Sequence, residues 1–181
     1  MAAVLAAVPL AAFAGSSPAA ASTDPPPVTG EWQIAFDLDL RSNAAKIRCV
    51  EVRDSSKSDN APIQLATCRP NSPNQRWRFT HFIGIDNWEV ININSGKCIQ
   101  VKDNSRNPNA EIVQHTCAKS EFWDLNNDIH YKEGKLDYHQ FLNRFTNGCM
   151  ESNQSVGKPL HQRPCEVTNP NQRFAWRKPA A

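Results

Sequence analysis

Six cysteines divide the chain into three copies of one pattern, and that repetition limits the possible folds more than any other feature of the sequence. The first copy opens on Cys49-Val50-Glu51-Val52-Arg53-Asp54, closes at Cys68 and ends on Asn74-Gln75-Arg76-Trp77. The second opens on Cys98-Ile99-Gln100-Val101-Lys102-Asp103, closes at Cys117 and ends on Ser120-Glu121-Phe122-Trp123. The third opens on Cys149-Met150-Glu151-Ser152, closes at Cys165 and ends on Asn171-Gln172-Arg173-Phe174. Opening cysteines lie 49 and 51 residues apart, and the two cysteines of each copy lie 19, 19 and 16 residues apart. A pair that recurs at one place in every copy is most simply bonded within the copy, as Cys49–Cys68, Cys98–Cys117 and Cys149–Cys165. In the loop-entropy account each such bridge contributes roughly 3 kcal/mol. A zinc reading fails on spacing, because structural zinc pairs stand about two to five residues apart and no two cysteines or two histidines are so spaced here. Nothing in the pattern asks for a metal or cofactor.

The segments inside a copy are short and bounded by turn residues. Trp88-Glu89-Val90-Ile91-Asn92-Ile93 alternates, Asn94-Ser95-Gly96-Lys97 turns, and Cys98-Ile99-Gln100-Val101 alternates again, which predicts a β-hairpin. Trp32-Gln33-Ile34-Ala35-Phe36 and Ile63-Gln64-Leu65 behave alike. With no long helical period, the domain reads as all-β. Three hairpin-rich copies are too few for a propeller, which needs at least about four blades, and suit a closed three-fold barrel capped by three hairpins. Trp77, Trp123 and Phe174, with Trp176 nearby, are then core residues meeting near the axis, each burying about 150–250 Å².

Composition bounds the rest. Of 181 residues, 40% are hydrophobic and 21% charged, the balance of a globular chain, and a net charge of +2 spread along the sequence lacks the basic stripe that nucleic acid requires. Residues 1–21 read as a secretory signal peptide: an apolar run from Ala2 to Ala14, then small residues with A-x-A sites ending at Ala14 and Ala21, the second favoured because Asp24-Pro25-Pro26-Pro27 follows it. No Lys or Arg precedes the run, and a short helix of the mature chain is the competing reading. A membrane span is not expected, since the apolar core is short and broken at Pro9. The organisation expected is leader 1–21, Pro-rich linker 22–30 and one domain over 31–178 of an extracellular, disulfide-bonded protein.

The repeat resembles that of the ricin B-type lectin domain of secreted bacterial proteins, of form C-L-D-V, about a dozen residues, V-Q-L-W-x-C, then N-Q-x-W. Its Q-x-W signature stands here as Gln75-Arg76-Trp77 and, with Phe for Trp, as Gln172-Arg173-Phe174. The resemblance covers residues 31 to 178. It implies a β-trefoil of three repeats with about four strands each, no catalysis, and a shallow sugar site in each repeat. In such a site an acid two residues after the first cysteine and an Asn-Gln pair grip hydroxyls, while an aromatic two before the second cysteine stacks on the ring. Carried over, the sugar-binding candidates are Glu51, Asn74 and Gln75 in the first repeat, His115 in the second, and Glu151, Asn171 and Gln172 in the third. The copies are uneven: Ala66 and Arg163 stand where the aromatic belongs, and in the second repeat Gln100 replaces the acid and Ser120-Glu121 replaces Asn-Gln. The ligands implied are glycans, galactose-type by resemblance. The alternative is a targeting or interaction subunit whose protein partner belongs to a toxin or enzyme complex. The amides have a plainer reading too, as ties from side chain to the backbone of their own loops.

An enzyme is not expected. Asp37, Asp39, Glu89, Asp124 and Glu133 show no paired spacing suited to glycoside hydrolysis. His81, His115, His130, His139 and His161 fall in no catalytic motif. The linker from Asn126 to Gln140 reads as an inter-repeat hairpin with Tyr131 and Tyr138 packed against the domain.

Overall fold

The computed structural model describes residues 30–37, 47–82, 87–118, 122–125, 131–133 and 136–179. The leader expected at 1–21 lies outside these, as do all but Gly30 of the linker expected at 22–30, Asp39, Ser120, Glu121, His130 and the side chains of Asp37, Tyr131 and Glu133.

Four strands build each repeat. The first uses β1 (Gln33–Asp37), β2 (Ile47–Val52), β3 (Ala61–Thr67) and β4 (Trp77–Phe82), and the second β5 (Asn87–Asn92), β6 (Cys98–Val101), β7 (Ile112–His115) and β8 (Trp123–Asp124). A separate hairpin, β9 (Tyr131–Glu133) with β10 (Leu136–Tyr138), occupies the second boundary as the sequence predicts. The third repeat has β11 (Leu142–Asn143), β12 (Cys149–Glu151), β13 (His161–Arg163) and β14 (Ala175–Arg177). Except for β9 and β10, these strands join in one sheet whose order returns from β14 to β1, so first and last repeats meet.

The middle strands of every repeat form a hairpin clamped by its disulfide: Cys49 faces Ala66, Cys98 faces His115 and Cys149 faces Arg163. The bridges are Cys49–Cys68, Cys98–Cys117 and Cys149–Cys165, with Cα–Cα distances of 4.9, 5.0 and 5.0 Å. The outer strands pair in the barrel, where Trp32–Trp77, Trp88–Trp123 and His139–Phe174 occupy equivalent places. Trp77, Trp123 and Phe174 are fully buried in one cluster, as the sequence implies. The two indoles also donate to equivalent carbonyls, Trp77 Nε1 to Val50 at 3.1 Å and Trp123 Nε1 to Ile99 at 2.9 Å. Phe174 fills the same place without a donor and packs on Phe36 and Phe141 at 5.4 and 5.8 Å.

The three hairpins close the barrel by meeting each other through Ile63, Ile112 and Leu160, all buried and all five residues before a closing cysteine. Ile112 N–H donates to Leu160 O and Leu160 N–H to Ile63 O, both at 2.8 Å, while Pro62 pairs with Val113 on the remaining side. Among the described residues the only helical pieces are single 3-10 turns, and no helix is long and apolar enough to cross a membrane.

Candidate functional site

The residues expected to hold sugar sit where each hairpin meets the turn before the bulky core residue. In the first repeat β2 and β3 pair with Glu51 opposite Gln64, and the turn Pro73–Gln75, opened by a proline suited to its first position, folds over Glu51. Both carboxylate oxygens are taken. Gln64 Nε2 donates to Oε1 at 3.0 Å, and Arg69 Nη2, Gln75 Nε2 and Asn74 Nδ2 reach Oε2 at 2.8, 2.8 and 3.4 Å. The Glu51 side chain is only 7% exposed. Asn74 also donates to Val52 O, and Gln75 ties Thr67 O and Arg69 N–H. The first repeat thus holds its acid and amides in a closed clasp, with Ala66 offering no ring.

The third repeat builds the same frame more loosely. Gln172 Nε2 donates to Glu151 Oε2 and to Pro164 O, at 2.9 and 2.8 Å, and its carbonyl oxygen accepts Glu166 N–H. Asn169 Nδ2 adds a bond to Glu151 Oε2 at 2.9 Å while its own oxygen caps Asn171 N–H in the turn Pro170–Gln172. Glu151 Oε1 has a looser neighbour, Arg163 Nε at 3.7 Å, and the side chain is 19% exposed. Asn171 points its oxygen at Gln154 Nε2 on the surface. The third repeat therefore keeps a carboxylate fixed on one oxygen and open on the other, with the half-exposed Arg163 in the ring position.

In the second repeat the structure brings fewer of the parts together. Gln100 is buried at the acid position and its Oε1 finds no protein donor among the described residues. His115 is half-exposed with Nε2 3.8 Å from Asp59 Oδ2 of the first repeat. Lys97 hydrogen-bonded to Asp59, helped by Thr116 N–H, holds that carboxyl below its usual range.

Gln64, Arg69 and Asn169 were not singled out from the sequence, yet they decide how each acid is held. Asn169 stands before Pro-Asn-Gln where Ser72 stands in the first repeat, and Gln64 stands at the Gln of the V-Q-L-W-x-C segment, whereas Arg69 carried no signal. Two further buried amides, Gln33 and Gln140, support the frames by donating to Arg69 O and Glu166 O. Glu89 stands at the equivalent place in the second repeat, where burial pushes its carboxyl above the ordinary range. Among the described residues no cluster of three or more His, Cys, Asp or Glu side chains is arranged to hold a metal.

Three four-stranded repeats, three equivalent hairpin caps and one shared aromatic core define a β-trefoil. The fold is similar to that of ThreeFoil, a designed three-fold symmetric protein (TM-score 0.67, 19% identity, 82% of this chain and 99% of that one). It is similar to the Rhizoctonia solani agglutinin (0.63, 13%, 90% and 97%). It also resembles an exo-beta-1,3-galactanase from Clostridium thermocellum (0.68, 18%, 84% of this chain), of whose chain it matches only 31%. The family model described as ricin-type beta-trefoil lectin domain-like matches residues 26–115 and again 73–151, two registers offset by about one repeat. The chain belongs to that family of ricin-type β-trefoil lectin-like domains. No curated protein matches it.

Proposed function

We propose that the chain is an extracellular, non-catalytic carbohydrate-binding module, and that its working sugar site is Glu151 and Asn171 of the third repeat with Arg163 as the stacking plane, Gln172 being the buried amide that orients Glu151. The observation that carries this reading is the contrast between two acids in equivalent places. Glu51 has donors on both oxygens, so a sugar hydroxyl has to displace Arg69 or Gln64 to reach it. Glu151 is hydrogen-bonded through Oε2 alone, which leaves Oε1 without a hydrogen-bond donor among the described residues, 3.7 Å from the planar Arg163 guanidinium. A preoriented carboxylate with one open oxygen is what a hydroxyl-rich ligand needs, and planar guanidinium groups stack on rings. Glu51, Asn74 and Gln75 then act as the structural clasp of the first repeat, and His115 is a marginal contributor to the second. Family membership, the paired cysteines expected of an oxidising compartment and the apolar leader support the extracellular assignment. The similar agglutinin supports a sugar ligand, and galactose-type sugars are the first class to try.

The test is a glycan array with the oxidised protein from residue 22 onward, run beside Glu151→Ala and Glu51→Ala variants of checked fold. The reading requires a defined glycan set that Glu151→Ala loses. A folded wild type that binds no glycan would overturn it and direct the search to a protein partner.

A further inference from the structure

A cleft of about 230 Å³ opens on the surface at the junction of the second and third repeats, on residues that, Arg163 apart, the site above leaves aside. The three-fold symmetry shows what is unusual there. Gln114 and Gln162 stand three residues before their closing cysteines and make the same tie to the preceding repeat. Gln114 Nε2 donates to Ser56 O and Ser58 O, and Gln162 Nε2 to Ser105 O and Asn107 O. Two carbonyl acceptors fix each amide's orientation, so the oxygen must point the other way. At Gln114 that oxygen accepts Ser95 Oγ at 2.7 Å. At Gln162, a lining residue of the cleft that is only 2% exposed, Oε1 is buried with no protein donor among the described residues. Thr146, in Ser95's place, turns its hydroxyl to Asn143 Oδ1 instead.

The surroundings differ in the same sense. Between the first two repeats, Lys97 lies with Asp59 and Thr116 at 2.6 and 3.0 Å. The equivalent positions at the second junction are Gly148, Pro108 and Pro164, which remove the ammonium, the carboxylate and the hydroxyl together. Gly148 is tied to the orphaned oxygen: a Cβ there would stand 2.7 Å from Gln162 Oε1. The charged lining residues are Arg106 and Arg163, with no acid among the lining. Arg163 already faces Glu151, whereas Arg106 lies over the Phe145 ring at 5.6 Å. A buried acceptor, a guanidinium and two proline walls complement a ligand with a hydroxyl donor, a carboxylate and a compact ring. The volume falls below the roughly 300–1,000 Å³ typical of drug-sized sites, which suits one ring.

We propose that this cleft is a second carbohydrate subsite, taking one acidic sugar unit whose hydroxyl donates to Gln162 Oε1 and whose carboxylate is held by Arg106. It rests on the reading of the domain as a glycan binder but uses none of the Glu151 atoms.

The test is titration of the oxidised chain, followed by amide proton–nitrogen correlation spectra, with galacturonate, galactose and acetate as separate probes. Galacturonate should move the Gly148 amide and the Gln162 side-chain amide saturably, with affinity falling as salt is raised. Galactose should bind there about tenfold more weakly for want of the charge-assisted bond, and acetate should leave Gln162 unmoved. Arg106→Gln, an exposed substitution, should bring galacturonate down to galactose's level, and Glu151→Ala should leave the cleft shifts intact. Gly148 and Gln162 unmoved by galacturonate, or moved equally by acetate, would overturn the proposal, as would their shifts vanishing in Glu151→Ala. Shifts in the cleft beside a silent Glu151 site would overturn the third-repeat assignment alone.

Discussion

Replacing the two equivalent acids with alanine should separate the structural carboxylate from the binding one. In Glu51→Ala, Gln64 Nε2 loses its acceptor while buried, and an orphaned buried donor costs about 1–3 kcal/mol. Gln75 and Asn74 keep their backbone bonds to Thr67 and Val52, so they lose only the charge-assisted part, about another 1 kcal/mol together. The expected loss is about 3 kcal/mol, or a fall in Tm of about 6–12 °C for a domain of this size. In Glu151→Ala, Gln172 Nε2 keeps its bond to Pro164 O and the part-exposed Asn169 Nδ2 reaches water, so the loss should be about 1 kcal/mol or less. Guanidinium titration of the oxidised variants, read by fluorescence of the buried tryptophans, measures both. If Glu51→Ala loses no more stability than Glu151→Ala, the clasp does not hold the first repeat and the reasoning fails.

Further expectations follow from other parts of the trefoil. Trp77→Phe keeps most of the packing but leaves Val50 O without its indole donor, so denaturation should show a loss of about 1–3 kcal/mol; no loss would show that Phe174's place in the third repeat is the general rule. Removing the Cys149–Cys165 bridge by paired alanines should destabilise by about 3 kcal/mol, measurable by denaturant titration as a lower midpoint with a steeper slope, because the unbridged chain exposes more surface when unfolded. Glu89→Gln should raise Tm at neutral pH. Because burial raises the folded pKa of Glu89, the protonated form is favoured in the fold, and stability falls as pH rises through that value. The gain should vanish below the ordinary carboxylate range, where Glu89 is protonated in both states, and a gain independent of pH would refute the assignment. Asp59 has the opposite sign: its lowered pKa contributes stability above the ordinary carboxylate range that is lost on acidification, and Asp59→Asn should flatten that part of the Tm profile.

Much of this molecule was written in the chain itself. The recurrence of two cysteines and a terminal bulky residue is local information, and a repeat that cannot bury its own apolar face must pack against its copies. The disulfide pairing, the all-β class, the three-fold assembly and the burial of Trp77, Trp123 and Phe174 all follow from it. The state of the sites did not follow, because equal motif residues meet unequal neighbours. Glu51 and Glu151 occupy the same motif position, yet one is closed by Gln64 and Arg69 and the other keeps an open oxygen beside Arg163. Those neighbours arrive from the opposing strand and the loop after the second cysteine, Arg163 in the place where the motif has an aromatic, and the motif does not say which oxygen of the acid they take. The junction cleft is more distant still from a one-dimensional reading. Its orphaned acceptor, its glycine and its arginine come from two repeats, and only the tertiary structure, by laying Gly148 and Pro108 over the places of Lys97 and Asp59, shows what the second junction lacks. Sequence periodicity determines which faces must be buried; long-range packing decides which polar atoms remain available once burial is complete.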